Sequence, residues 1–214
     1  MIEQTTGIIL RTYPLSETSL VVHWLTASCG RIATAARGAR RPKSPFRGKL
    51  DLFYEGELSF QRSRRSELHA LRELELTQTH GALRRDLYCL SQAAYCAALI
   101  EQTSETETPT PELFALLKEL LEYLPTSAVA PRTVFAFELK LMVQMGLDAS
   151  QEGKGLSTPV REAIRALEHC PWKEIGHLKL ERSQATELRQ FLHGFLIYHL
   201  GKLPATRTAA LQLT

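Results

Sequence analysis

Over the first 80 residues the apolar positions fall in short runs broken by turn residues, the pattern of β-strands. Thr6–Leu15 and Ser19–Thr26 are two such runs, rich in β-branched and apolar side chains. SLVVHWLT is apolar almost throughout, which suits a strand covered on both faces or lying at a barrel closure. Cys29-Gly30 closes a tight connection, and Arg31–Ala36 resumes as the next strand. Gly38 to Gly48 holds Pro42, Pro45 and Ser44 and reads as a loop. Leu50–Phe60 and Leu68–Leu76 complete the strands. In the first of these Leu52, Tyr54, Leu58 and Phe60 share one parity, and Gly56 interrupts it as a bulge or sharp bend would. Leu68, Leu71 and Leu74 also fit a three-residue spacing, so a helix stays open for Glu67–Leu76. Five short strands in a segment of this size predict a small closed barrel of the OB type.

From Gly81 onward the period changes. Ala82–Glu101 places Leu83, Leu87, Leu90, Ala94 and Ala97 near helical spacing. Thr103–Thr110 is polar and acidic and reads as a loop. Pro111-Glu112 opens a helix to about Leu124 with Thr110 before it. Pro131 opens another, apolar nearly all round, that ends near Gly146; such a helix belongs at the centre of a bundle. Its interior Glu138 fits a buried carboxylate with an arginine partner and a rim position equally well. Ser150–Gly155 reads as a loop, Thr158–His169 as a helix, and Ser183–Leu200 as a last long helix stopped by Gly201. The expected fold class is therefore α+β: an OB-fold barrel over residues 1–80, then an all-α bundle over residues 81–214.

Composition narrows this. In 214 residues, 44% hydrophobic and 23% charged side chains argue against disorder. No apolar run approaches the roughly 20 residues of a membrane span. MIEQTTGIIL has no basic start followed by a long apolar stretch, and four cysteines are too few for a disulfide scaffold. A cytoplasmic protein without a membrane partner is expected. The net charge of +3 conceals an uneven distribution. Residues 1–80 carry 12 Lys and Arg against 8 Asp and Glu, and the remainder 14 against 15. Between Arg31 and Lys49 there are seven basic residues and no acid, with a second cluster at Arg62, Arg64 and Arg65. A barrel loop so biased has the footprint of a nucleic-acid contact.

The candidate DNA-contact residues are Arg31, Arg37, Arg40, Arg41, Lys43, Arg47 and Lys49. Phe46, inside the basic loop, is a candidate for stacking on bases and an equal candidate for anchoring the loop to the core. No base-reading helix is evident, which favours sequence-independent binding. Catalysis has no support: phosphate-cradling, nucleophile-elbow and metalloprotease motifs are all missing, so an enzyme is not expected. His193 and His199, six apart, do not share a helix face. Cys89 and Cys96 share one, but no C-x-x-C occurs, and neither a metal nor a cofactor is expected.

Tyr13–Val22 (YPLSETSLVV), Leu25–Arg31 (LTASCGR) and Ala36–Ser44 (ARGARRPKS) resemble, in order, the opening motifs of the bacterial RecO family of DNA-repair proteins. Phe137–Gly146 (FELKLMVQMG) resembles that family's central F-E-L-x-L-L-x-x-x-G helix, and Leu113–Leu121 the helix before it. The resemblance implies an N-terminal OB-fold, a helical C-terminal domain and a recombination mediator. Such a protein binds single- and double-stranded DNA and anneals complementary strands. With RecR it helps load RecA onto DNA coated by single-strand-binding protein (SSB), whose C-terminal tail it also binds. Arg31, Arg37, Arg40, Arg41 and Lys43 match the basic motif residue by residue. An apolar groove with a basic rim in the helical domain would suit the tail, with Arg132, Arg161 and Arg165 as candidate rim residues. Many members carry a four-cysteine zinc motif soon after the F-E-L helix; Leu147–Pro159 contains no cysteine, so that motif is expected to be missing. The competing expectation is a protein-interaction adaptor whose DNA contact is incidental.

Overall fold

The strand patterns are realised where each run finds a partner. In the computed structural model, which describes residues 1–153 and 155–212, β1 (Ile2–Pro14) pairs antiparallel with β2 (Leu20–Thr26), and β2 with β3 (Gly30–Ala36). β4 (Glu55–Gln61) pairs antiparallel with β1 and with β5 (Leu68–Gln78). A short parallel rung, Ala33–Leu68 to Ala35–Ala70, joins β3 to β5 and closes the barrel in the order β1–β2–β3–β5–β4. This is the five-stranded OB arrangement. Ile9, Val22, Trp24, Ile32, Leu58, Phe60 and Leu74 fill its core. The Trp24 indole, fully buried, donates to Thr34 Oγ1 at 2.8 Å, so its polar atom is satisfied inside.

Two departures from the sequence reading and one choice it left open have local causes. β1 starts at Ile2 because Ile2–Ile8 pairs rung for rung with β4, and polar residues tolerate that exposed edge. Leu50–Tyr54 is not a strand: it turns, with Phe53 at φ 65°, and only then does β4 begin. Glu67–Leu76 is a strand and not a helix, and its three-residue spacing comes from a bulge. Ser59 pairs with Glu73 and Phe60 with Leu71, so Arg72 is the extra residue that lets both Leu71 and Leu74 face the core. Gly56 also marks a register shift, and a Cβ there would stand 2.4 Å from the Glu75 carbonyl oxygen.

The barrel unit, Met1–Gly81, also takes in Glu101–Ala115. That stretch straps the barrel. Glu107 N–H donates to Arg31 O at 2.8 Å, and a Cβ on Gly30 would lie 2.0 Å from Thr108 O, so the φ of +67° and the missing side chain at Gly30 are both required.

The second unit comprises Ala82–Ile100 and Leu116–Thr214. Its helices are built from α1 (Leu87–Thr103), α2 (Pro111–Tyr123), α3 (Pro131–Gln144), α4 (Ala149–Glu152), α5 (Thr158–His169), α6 (Trp172–Ile175), α7 (Arg182–Leu200) and α8 (Arg207–Ala210). Gly81–Arg85, with 82–85 expected in the first helix, form a 3-10 turn, and the Asp86 carboxylate then accepts from Tyr88 N–H at 2.7 Å to start α1. The expected loop at Ser150–Gly155 holds most of α4; its Lys154 lies outside the described residues. No helix among the described residues is long and apolar enough to cross a membrane.

α3 packs on α5, α6 and α7 and is buried over most of its circumference. Glu138, at its centre, is fully buried. It accepts from Arg207 through Nε at 2.6 Å and a terminal nitrogen at 2.9 Å, and from the Tyr95 hydroxyl at 2.5 Å. Burial and the Glu138 charge push the Tyr95 hydroxyl well above its ordinary range, so it remains a donor. Of the two readings left open for Glu138, the structure shows the buried pair. Removing one member of such a pair strands the other in a low-dielectric interior. Glu138→Ala is expected to lower the unfolding free energy by about 3–5 kcal/mol in urea titrations; a loss under about 1 kcal/mol would mean that the pair is solvated.

Candidate nucleic-acid interface

The connection from β3 to β4 is a chain of successive hydrogen-bonded turns. Arg41 N–H donates to Gly38 O, Ser44 N–H to Arg41 O, Arg47 N–H to Ser44 O and Lys49 N–H to Phe46 O, all within 3.0–3.2 Å. The turn between β1 and β2 holds its start, through Arg40 N–H to Thr18 O at 3.0 Å and Gly38 N–H to Ser19 Oγ at 3.2 Å. Ala39 and Phe46 drop into the barrel core. Phe46 is 6% exposed, so the base-stacking expectation is corrected in favour of anchoring: its ring is already packed against the core.

This backbone presents four cations outward. Arg37, Arg40, Arg41 and Lys43 are exposed, and their side chains have no hydrogen bond or ion pair among the described residues. Arg47 is exposed and donates to Pro42 O at 3.1 Å. Two other candidates are engaged inside the barrel unit. Lys49 Nζ donates to Leu74 O at 3.2 Å, and Arg31 donates to Ser104 O at 3.0 Å from a half-buried position. Of the second basic cluster, Arg64 and Arg65 are exposed, whereas Arg62 pairs with Glu3 at 2.6 Å and with Glu107. Its guanidinium holds the Glu3 carboxyl below the usual carboxylate range. Glu107 also takes His69, Nε2 to Oε1 at 2.9 Å. These contacts fasten the strap and leave their charges unavailable to a ligand.

The helical unit carries a groove between α7, the start of α3 and the C-terminal residues. Phe135, Leu180 and Leu211 line one arm of about 860 Å³ with Arg132, Arg182 and Arg189. A second arm, about 650 Å³, shares Thr186, Arg189 and Leu211 and runs past His193 and Ile197. Of the three expected rim residues only Arg132 lines this groove. Arg161 and Arg165 lie on α5, whose buried Val160, Ile164 and Leu167 point to the bundle, and they do not line either arm. Arg182 and Arg189 were missed; their seven-residue separation on α7 places them on one helical face and could have found them.

Cys29 and Cys170 are half-buried, and Cys89 and Cys96 are buried in α1. Cys89 Sγ donates to Leu124 O at 3.5 Å. No group of three or more metal-ligating side chains occurs among the described residues, so the cysteines present do not fit the four-thiolate zinc module of the family.

A barrel of OB topology with a run of free cations on the connection after β3, followed by an all-α unit, places the protein in the OB-fold class. Within that class the chain belongs to the RecO family. The pattern described as Recombination protein O N terminal matches residues 1–80, and that described as Recombination protein O C terminal matches residues 84–152. The DNA repair protein RecO of Halalkalibacterium halodurans is 30% identical over 211 residues, covering 95% of this chain and 82% of the relative. That of Bacillus pumilus is 29% identical over 212 residues, covering 95% and 81%. That of Bacillus subtilis is 33% identical over 147 residues, covering 69% and 57%.

On the outer face of β2, His23 stands opposite Arg11. Burial, then the charges of Arg11 and Arg31, push its ring down to about 4 from 6.5. A depressed histidine is neutral in the folded state and charges on unfolding, so its contribution to stability is present above pH 6.5 and is lost as the pH falls toward 4. An NMR titration of the imidazole is expected to show a midpoint near 4; a midpoint near 6.5 would refute the burial.

Proposed function

We propose that the protein is a non-enzymatic recombination mediator in DNA repair. It binds single- and double-stranded DNA through Arg37, Arg40, Arg41, Lys43 and Arg47, and anneals complementary strands. With RecR it assists the loading of RecA onto strands coated by SSB. The observation that carries this reading is the set of unpaired cations on a backbone-pinned loop, in a member of a family whose relatives are named DNA repair proteins. Annealing brings two polyanions together, and fixed cations lower that repulsion by displacing condensed counterions. A pinned loop holds its charges in place before binding, so less conformational entropy is lost when a strand docks.

The test combines binding and annealing. The triple variant Arg37→Ala/Arg40→Ala/Arg41→Ala should flatten the dependence of log affinity on log salt by about 2 for single strands, at about 0.7 per phosphate contact. It should also slow annealing of complementary oligonucleotides, naked and SSB-coated. An unchanged slope with unchanged annealing sinks the assignment and leaves the adaptor reading.

The groove of the helical unit is the proposed seat of the SSB tail. Phe135, Leu180 and Leu211 suit an apolar chain end, and Arg132, Arg182 and Arg189 suit its acidic residues and terminal carboxylate. Arg132→Ala/Arg189→Ala is expected to weaken binding of a tail peptide about tenfold or more in fluorescence anisotropy, as loss of charge-assisted contacts requires. Arg161→Ala/Arg165→Ala should bind as the parent does; the reverse ranking would move the site to α5.

A further inference from the structure

The loop presents cations but has lost its only aromatic candidate, Phe46, to the core. An exposed ring stands beside it on a different element. Tyr13, near the end of β1, is 45% exposed. Its register partner is Val21, whose own partner on the next strand is Ala35. One row of the sheet therefore runs Tyr13, Val21, Ala35, and the row behind it runs Arg11, His23, Ala33. Side chains alternate along a strand, so Arg11 and Tyr13 share the face that carries Val21, His23, Ala33 and Ala35. Tyr13 and His23 are diagonal neighbours there, with ring centroids 5.4 Å apart and Tyr13 Oη 3.2 Å from His23 Nε2. β3 contributes only alanines to these rows, Val21 and Ala35 are buried, and Arg11 pairs with Glu101 at 3.1 Å, so Tyr13 is the exposed ring of this face.

This face is continuous with the basic loop. Ala35 lies about 10 Å from Tyr13 across two strand spacings, and Arg37 follows two residues on, about 7 Å further along. The turn between β1 and β2 is bonded to the loop at Arg40 and Gly38. Arg11 is paired with Glu101, but from Arg31 to Lys49 the chain holds seven basic residues and no acid. A restrained, half-open aromatic ring bordered by fixed cations is the arrangement that tracks single-stranded nucleic acid, cations on the phosphates and the ring on a base.

We infer that Tyr13, steadied by His23, is a base-stacking platform for single-stranded nucleic acid whose phosphates run along Arg37, Arg40 and Arg41. The inference rests on the DNA-binding reading above and adds to it a contact with bases that charge alone does not supply. His23 is uncharged at neutral pH, so the pair acts through its ring faces and not as another cation.

The experiment compares a thymine oligonucleotide with an abasic oligonucleotide of equal length and charge, at several salt concentrations, on the full chain. The parent should bind the thymine strand more tightly than the abasic one. Tyr13→Ala and Tyr13→Leu should each lose about tenfold on the thymine strand, the weight of one stacked base, and nothing on the abasic strand. Their salt slopes should equal the parent's, because no cation has been removed. Tyr13→Phe should bind as the parent does. Far-UV circular dichroism and a thermal unfolding transition report whether each variant is folded. A parent that binds neither strand defeats the DNA-binding reading itself. A parent that binds both equally, or a folded Tyr13→Leu that keeps full affinity for thymine, defeats the platform alone.

Discussion

The barrel is closed by three residue pairs. Ala33–Leu68, Thr34–His69 and Ala35–Ala70 form the one parallel rung among the described strands, and the rest of the barrel unit follows from it. Because β5 occupies the place beside β3, β4 has to pair with β1 on its far side. The chain leaving β3 cannot return by a tight hairpin and must travel round the end of the barrel, which needs a long connection. That connection meets an open barrel end lined with apolar side chains. Ala39 and Phe46 are the residues that enter the core there. Topology thus demands the loop, closure demands its apolar anchors, and the remaining positions are left to face water. Those positions carry the free cations.

A different constraint organises the helical unit. Glu138 is held at the centre of α3 by partners that enter from α8 and α1. Gln92 of α1 adds hydrogen bonds to Ala130 O at 3.0 Å and Ala210 O at 3.2 Å. A buried ion pair contributes little net stability over an apolar alternative, but it tolerates few arrangements. Here it fixes where the C-terminal segment lies, and that segment supplies Leu203, Pro204 and Leu211 to the groove. The groove is shaped by a charge pair of which one member, Arg207, also lines it.

The parts of this architecture legible in the sequence were those set by local pattern. β2 and β3 follow from their apolar runs, and α2, α3 and α5 from proline starts and helical spacing. What escaped depends on distant partners. The spacing of Leu68, Leu71 and Leu74 was ambiguous because a bulge opposite β4 imitates a helical period. α6 and α8 are four residues each, too short for a periodic signal, and are held by packing. Arg31 and Lys49 looked equivalent to Arg37 and Arg40 in a run of basic residues. Only the fold shows that Arg31 meets Ser104 O on the strap and Lys49 meets Leu74 O on β5. Phe46 was undecidable for the same reason: its role depends on whether the barrel end above it is open.

The charge distribution acquires a direction once it is placed on the barrel. The strands β1, β4 and β5 bear a shallow depression lined by Gln4, Thr5, Glu57, Glu73 and Glu75, whose charges are all negative. The connection after β3 bears Arg37, Arg40, Arg41 and Lys43. In solution near 0.1 M salt, fields from exposed charges reach about 10 Å, so each region acts on the part of a polyanion that comes near it. One repels and the other attracts, which orients the encounter before any contact forms. A uniformly basic barrel would hold a strand in many poses. A barrel that is acidic at that depression and basic at one connection would favour fewer poses, those in which a strand meets the loop. The small net charge of the chain therefore conceals a first 80 residues that are basic, 12 Lys and Arg against 8 Asp and Glu, and a remainder close to neutral at 14 against 15.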